Sequence, residues 1–222
     1  IERLGAQAGL VLCMEPALPD GSLKTWRKGI GGYRIAVRGR STHAGADHEN
    51  GVNAVEEMAH QVLALQRLTD YARGTTVNVG VVRGGTRANV VPDECSIEVD
   101  LRAMTPADAE AACRAIESLQ PVNVKATLAI TGGMNRPPMP RTETIAAAFA
   151  TAQRIAASLG LTIGEGGTGG GSDANFVAPL GVPVLDGLGP LGNGAHSERE
   201  HVLIKSLPER TALLAGILSE WP

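Results

Sequence analysis

The chain of 222 residues is long enough for one large domain or two modest ones, and its 43% hydrophobic and 19% charged residues are the balance of a globular protein. A net charge of −3 and 3% aromatic residues offer neither a basic surface nor a stacking platform for nucleic acid, and no apolar run reaches the roughly 18 residues of a membrane span. Cys13, Cys95 and Cys113 are widely spaced without a C-x-x-C pair, which argues against a zinc knuckle or disulfide framework and favours a reducing compartment, the cytoplasm ahead of the periplasm.

The chain opens at Ile1 with "IERLGAQAGLVLCMEP", which reads as a helix end feeding a strand, the middle of a domain. "GLVLCME" is a short apolar run of the kind buried on both faces of a parallel sheet. It ends on Glu15, at the strand edge where ligands bind in open α/β sheets. From about Lys28 the pattern changes. "YRIAVRG" alternates Tyr33, Ile35 and Val37 with Arg34, Ala36 and Arg38, the mark of a half-buried strand. After the polar loop "RSTHAGADHENG", a helix is predicted with Val52, Val55, Ala59, Val62 and Leu63 as its apolar stripe. "TTVNVGVV" and "CSIEVDLRA" read as strands joined by "RGGTRANVVPDE". Thr105 and Pro106 open a second helix as N-cap and first helical residue, and "VKATLAI" is a last strand. This order, strand, helix, strand, strand, helix, strand, is the split βαβ, ferredoxin-like arrangement.

Beyond "GGMNRPPMP", Ile145, Phe149, Ala152, Ala156 and Leu159 mark an amphipathic helix closed by Gly160. "VPVLDG" is a short buried strand, and "SLPERTALLAGILSEW" is a C-terminal helix. The expected organisation is an α/β part at residues 1–27 and 134–222, with about three strands, interrupted by a ferredoxin-like α+β module at 28–133.

Several stretches carry candidate chemistry beside plainer readings. "GEGGTG", Gly164 to Gly169, matches G-x-G-x-x-G, with Asp186 about twenty residues on, but no full βαβ unit follows, and a flexible Gly-rich loop is the better reading. Ser172, Asp186 and His196 fall in the chain order of an α/β-hydrolase triad, although glycines rather than a strand precede Ser172; the plain alternative is that Ser172 and Asp173 cap a short helix. Glu56 and His60 are spaced i, i+4 and read as a solvated pair on a helix flank. His43 in "STHAG", Asn89 in "RANVVP" and Arg102 in "VDLRA" are each explicable as loop or surface residues. Glu15 and His196 together offer the oxygen and nitrogen donors that zinc takes, but two are fewer than the three protein ligands of a catalytic zinc.

Taken in order, "CMEPA", "STHAG", "RANVVPD", "VDLR", "NRPP", "GGGSDAN" and "GAHSERE" resemble the co-catalytic two-zinc metallopeptidases: glutamate carboxypeptidase, acetylornithine deacetylase and succinyl-diaminopimelate desuccinylase. "MEPA" and "GGGSDAN" point to the glutamate carboxypeptidase branch, and the resemblance covers essentially the whole chain. It implies that Glu15 and His196 are terminal ligands to two different zinc ions, cobalt fitting the same donors. It implies that His43 polarises the scissile carbonyl from the neighbouring subunit of a homodimer formed through the inserted lid. Asn89 is implied to touch the substrate, Arg136 to grip its free carboxylate and Gly171 to approach it through the backbone; Arg102 matches a family position of less defined role.

The family's pattern also includes a His-x-Asp pair and a Glu-Glu pair upstream of the position of Glu15, and neither precedes it here. The one "EE", Glu56–Glu57, lies inside the insert's helix. The expectation is therefore the C-terminal portion of a zinc carboxypeptidase or amidohydrolase, inactive alone, acting on a small molecule or peptide with a free carboxylate, and with no nucleic-acid or membrane partner. The alternatives are an acetylornithine-deacetylase-like deacylase, a serine hydrolase built on Ser172, Asp186 and His196, and a non-catalytic dimerisation module.

Overall fold

The computed structural model describes residues 1–222. In chain order the elements are α1 (Glu2–Gly5), β1 (Val11–Cys13), β2 (Leu23–Arg27), β3 (Gly29–Arg38), α2 (Ala54–Gln66), β4 (Thr76–Gly84), β5 (Glu94–Ala103), α3 (Pro106–Glu117) and β6 (Thr127–Arg136). They continue with α4 (Glu143–Ser158), β7 (Glu165–Thr168), α5 (Ala174–Val177), β8 (Val184–Asp186), β9 (Gly192–Asn193), β10 (His201–Val202) and α6 (Leu207–Glu220). Two compact units result: Ile1–Lys28 with Pro137–Pro222, and Gly29–Arg136. No helix is long and apolar enough to cross a membrane.

The inner unit, Gly29–Arg136, is a four-stranded antiparallel sheet in the order β4-β5-β3-β6, joined by two helices as a ferredoxin-like βαββαβ. Tyr33, Ile35 and Val37 are buried while Arg34 and Arg38 are exposed, as the alternation of β3 requires. Their face packs with Met58 and Leu65 of α2, Ile116 of α3, and Ile97 and Leu101 of β5. Thr105 caps α3 by accepting from the Asp108 amide at 3.1 Å.

The predicted stripe of α2 is corrected by the structure. Val55, Ala59 and Leu63 face outward, whereas Ala54, Glu57, Met58, Gln61 and Leu65 are buried. Asn53 sets the phase: its side-chain oxygen accepts from the amides of Val55 and Glu56 at 3.0 and 3.1 Å. Two polar residues then sit on the inward face because they satisfy a distant turn. Glu57 accepts from the amides of Val122 and Asn123 at 3.0 and 2.8 Å, and Gln61 donates to Gln120 O at 3.0 Å.

The outer unit is built on a four-stranded sheet in the order β1-β8-β2-β7 and a two-stranded hairpin β9-β10, six strands where about three were expected. β1 runs parallel to β8 and β2 parallel to β7, while β2 and β8 meet antiparallel at Lys24 and Asp186. The stretch expected to be a flexible Gly-rich loop contains β7. A side chain at Gly167 would collide with the indole of Trp26 on β2, so glycine is what lets the two strands pair. α4 and α6 bury Phe149, Ala152, Ile155, Leu213 and Ile217 in one cluster with Leu23 and Leu185. Gly160 closes α4 in the left-handed region at φ 71°, as expected, but Leu159 at the cap is 41% exposed.

Candidate active site

In the outer unit, Glu15 follows β1 at the end of the sheet where β1 and β8 run parallel. Its backbone is held by the loop after β8. Leu188 N donates to Cys13 O at 3.2 Å, Gly189 N to Glu15 O at 2.8 Å, and Ala17 N to Pro190 O at 3.2 Å. A Cβ at Gly189 would strike the carbonyl oxygen of Met14, so this close approach demands glycine. The Glu15 carboxylate is exposed, accepts no hydrogen bond from the protein, and borders a groove of about 620 Å³ lined also by Cys13, Met14, Asp173 and Val177.

His196 sits in the loop of the β9–β10 hairpin, with an exposed imidazole that has no protein partner. It is the sole non-glycine residue with positive φ, at 62°. Such a conformation is disfavoured for a residue with a Cβ, and backbone strain of this kind clusters at functional sites. Ser197 braces the turn: its amide and hydroxyl both donate to Gly194 O, at 3.0 and 2.7 Å. The chemistry of this donor set, one carboxylate and one imidazole, both unclaimed by protein, fits a divalent zinc-like ion. The neighbouring Cys13 is a poorer donor, because burial first and then the Asp186 carboxylate push its thiol pKa up.

The Gly-rich loop carrying Gly171 rests on buried polar groups. Arg27 forks onto Asp186 through Nε and Nη2, both side chains being buried, and Arg27 Nη1 donates to Gly170 O at 3.1 Å. The Ser172 hydroxyl donates to Asp186 at 2.8 Å and accepts from Ala174 N at 3.1 Å. Asn175 accepts from Ser172 N at 2.8 Å, and its amide donates to Lys28 O and Pro137 O at 3.2 and 2.8 Å. One side chain thus ties the loop to the peptides where the chain leaves and re-enters this unit.

This geometry removes the serine-hydrolase alternative. Ser172 is buried and bonded directly to the carboxylate, with no imidazole between them, and Asp186 is committed to Arg27. The nucleotide reading of "GEGGTG" also lacks its helix, since α5 is four residues long.

In the inner unit the loops of His43 and Asn89 are brought together. His43 forms a bridge with Val90, and Ala44 N donates to Asn89 O at 3.0 Å. His43 Nδ1 accepts from the amides of Gly45 and Ala46, both at 3.1 Å. An accepting Nδ1 carries no proton, so the neutral ring has its hydrogen on Nε2. The Asn89 carboxamide is exposed and without a protein partner. Arg136 ends β6 beside a register shift at Asn135, and its Nη1 donates to Asn135 at 2.8 Å; such bulges re-aim the neighbouring side chains. Arg102 is forked onto Asp100 of the same strand, with both bonds at 2.8 Å. Glu56 and His60 are exposed on α2.

Sequence reasoning passed over Arg27, Asn175 and Arg210, and it treated Asp186 only as a triad member or as the acidic residue of a nucleotide fingerprint. Arg210 in "SLPER" reads as a surface charge, yet it is 7% exposed and faces backbone carbonyls alone. No local signal marked the two arginines, because Arg27 lies 143 positions from Gly170 and Arg210 lies 21 from Gly189.

Residues 25–121 match the family model of the peptidase dimerisation domain. Carboxypeptidase G2 of Pseudomonas sp. is 30% identical over 228 residues, covering 99% of this chain and 54% of that relative. One component of the p-aminobenzoyl-glutamate hydrolase of Escherichia coli is 40% identical over 99 residues, covering 44% of this chain and 21% of its own length. Among solved structures, aminopeptidase PepT from Bacillus cereus superposes with a TM-score of 0.82 at 23% identity, covering 99% of this chain and 61% of that one, a likeness of fold. The chain spans about half the length of Carboxypeptidase G2. The dimerisation-domain match, together with 30% identity to Carboxypeptidase G2 over 99% of this chain, places the chain in the M20 metallopeptidase family, glutamate carboxypeptidase-like.

Proposed function

We propose that Glu15 and His196 are terminal ligands in a two-metal site that hydrolyses the amide bond of an N-acyl amino acid or small peptide, releasing a C-terminal residue such as glutamate. The observation that carries this reading is His196: a strained left-handed residue whose imidazole is unclaimed, in the same unit as the equally unclaimed Glu15. Two divalent ions, zinc or cobalt, would supply a Lewis acid for the carbonyl and a nucleophile from water at neutral pH. His43 serves as a hydrogen-bond donor through Nε2 to the oxygen on which negative charge develops, acting across a homodimer. Arg136 pairs with the substrate carboxylate, the Gly171 backbone approaches it, and Asn89 adds a carboxamide contact. Arg102 reaches a substrate by exchanging Asp100 for it.

The glutamate preference is supported by the p-aminobenzoyl-glutamate hydrolase relative, whose name places a glutamate in its substrate. The homodimer is supported by the dimerisation-domain match and by the outward apolar face of α2, where Val55 and Leu63 are 41% and 58% exposed beside edge strand β4. Two donors fall short of the three that a catalytic zinc takes, so these 222 residues by themselves turn over no substrate.

Zn²⁺ titration of the chain by calorimetry tests the metal reading, with E15A and H196A each expected to weaken binding. Binding indifferent to both substitutions overturns it. Hydrolysis of an N-acyl-glutamate by the chain with added Zn²⁺ would overturn the statement that it is inactive alone.

A further inference from the structure

Arg210, in the first turns of α6, has no carboxylate partner. Its guanidinium donates to four backbone carbonyls instead: Gly187, Leu188 at 3.4 Å, Gly189 at 3.0 Å and Gly21 at 2.9 Å. One turn earlier, on the same side of the helix, Ser206 accepts from Leu191 N at 3.1 Å and donates to Leu203 O at 2.7 Å. The start of α6 therefore grips the loop 187–191 by its backbone.

What that loop holds is the reason to look further. Residues 188–190 make three backbone hydrogen bonds to the segment Cys13–Ala17, around Glu15. Leu191 O accepts from Leu203 N at 2.8 Å, closing the neck of the hairpin whose loop carries His196. Gly187 and Gly189 give the loop no side chains there with which to fix itself, and Gly187 has a left-handed backbone at φ 75°. A guanidinium suits the task because its planar fork addresses several acceptors at once, whereas an ammonium is a point charge with three donors.

We infer that Arg210 is a positioning residue for the metal-donor pair, setting the place of Glu15 through the loop 187–190 and that of His196 through the hairpin neck. The inference rests on the reading of Glu15 and His196 as metal donors. It goes beyond that reading by assigning the placement of the two donor-bearing segments to one buried cation whose hydrogen bonds reach neither donor side chain.

The test compares the ¹⁵N-labelled 222-residue chain with R210M and R210K in two measurements. Amide hydrogen exchange is followed at Ala17, Gly189, Leu191 and Leu203, with the amides of α4 as reference. Zn²⁺ affinity is followed by calorimetry, with E15A and H196A as controls. In R210M the four amides are expected to exchange at least about tenfold faster while α4 is unchanged, and Zn²⁺ affinity is expected to fall about tenfold, the scale of losing support behind a metal ligand. R210K is expected to fall between R210M and the parent chain, and it carries the same comparison should R210M fail to fold. The inference is overturned if exchange and Zn²⁺ affinity in the variants equal those of the parent, or if exchange rises equally throughout the unit. Zn²⁺ binding untouched by E15A and H196A sinks the metal reading instead, and with it the donor role; the exchange comparison then still decides whether Arg210 holds the two segments.

Discussion

Asp186→Ala removes the acceptor at the centre of the outer unit, and its cost follows from what it strands. Asp186 is fully buried and accepts from Arg27 Nε, from Arg27 Nη2 at 2.9 Å, from Ser172 Oγ at 2.8 Å and from Gly187 N at 2.5 Å. Deleting one partner of a buried ion pair costs about 3–5 kcal/mol, because the other charge stays buried and unpaired. The double substitution R27M/D186L removes both charges, and for the pair alone such a replacement is often neutral. Here it still leaves the Ser172 hydroxyl and the Gly187 amide without acceptors, at about 1–3 kcal/mol each. The double variant is therefore expected to be less stable than the parent but less destabilised than the two single losses summed. Trp26 and Trp221 both lie in the outer unit, so urea unfolding followed by tryptophan fluorescence reports on that unit. A loss below about 1 kcal/mol for D186A, or strict additivity in the cycle, would refute the claim that this pair anchors the Gly-rich loop.

Other consequences can be checked separately. Burial pushes the Glu57 carboxyl up, but the amides of Asn123 and Val122, the Gln61 amide and His60 outweigh it and hold the pKa below the ordinary value. Its stabilisation is thus present above the unfolded pKa of about 4.3 and is lost as pH falls through the folded one. The stability gap between the parent and E57Q, from urea unfolding across pH, is expected to be widest near neutrality and to close in acid; a gap that grows on acidification contradicts this. For His43, ¹⁵N correlation spectra at neutral pH are expected to show the proton on Nε2, and a ring protonated on Nδ1 would remove the oxyanion role proposed for it. L63E on the outward face of α2 is expected to shift sedimentation from dimer to monomer while circular dichroism is unchanged, and an unchanged dimer would place the contact elsewhere.

The parts of the fold that sequence gives away are those set by near neighbours. The alternation Tyr33, Ile35, Val37 follows from a period of two, and the Thr105–Pro106 start of α3 follows from a local cap. The errors lie where a partner far along the chain decides. The inward face of α2 turns on Glu57 and Gln61, polar residues whose partners are the peptides of residues 120–123. β7 is a strand because Trp26 of β2 lies against Gly167, a pairing that no local window contains. The candidate site divides the same way. The loops of His43 and Asn89 carry recognisable motifs and are joined by a backbone bond. The groups that brace Gly170, Ser172 and Glu15 are single charged or amide residues, separated by more than a hundred positions in the case of Arg27 and Asp186.

Loops that must bring backbone close to a substrate or a ligand-bearing strand are rich in glycine, and glycine forfeits the side chains by which a loop ordinarily holds itself in place. In this chain the deficit is met from outside the loops. Arg27 with Asp186 holds Gly170 and Ser172, Asn175 holds Ser172, and Arg210 holds Gly187 to Gly189. Each is buried, so each carries a desolvation cost that an apolar residue would avoid. If stability alone governed these positions, well-packed apolar replacements would serve as well once every stranded polar partner was removed along with them. That cannot be done for Arg210, whose partners are backbone carbonyls that no substitution deletes. Arg210 is therefore the position at which loss of rigidity and loss of stability are least separable by repacking, and R210K, which keeps the charge but not the fork, is the variant that best divides them.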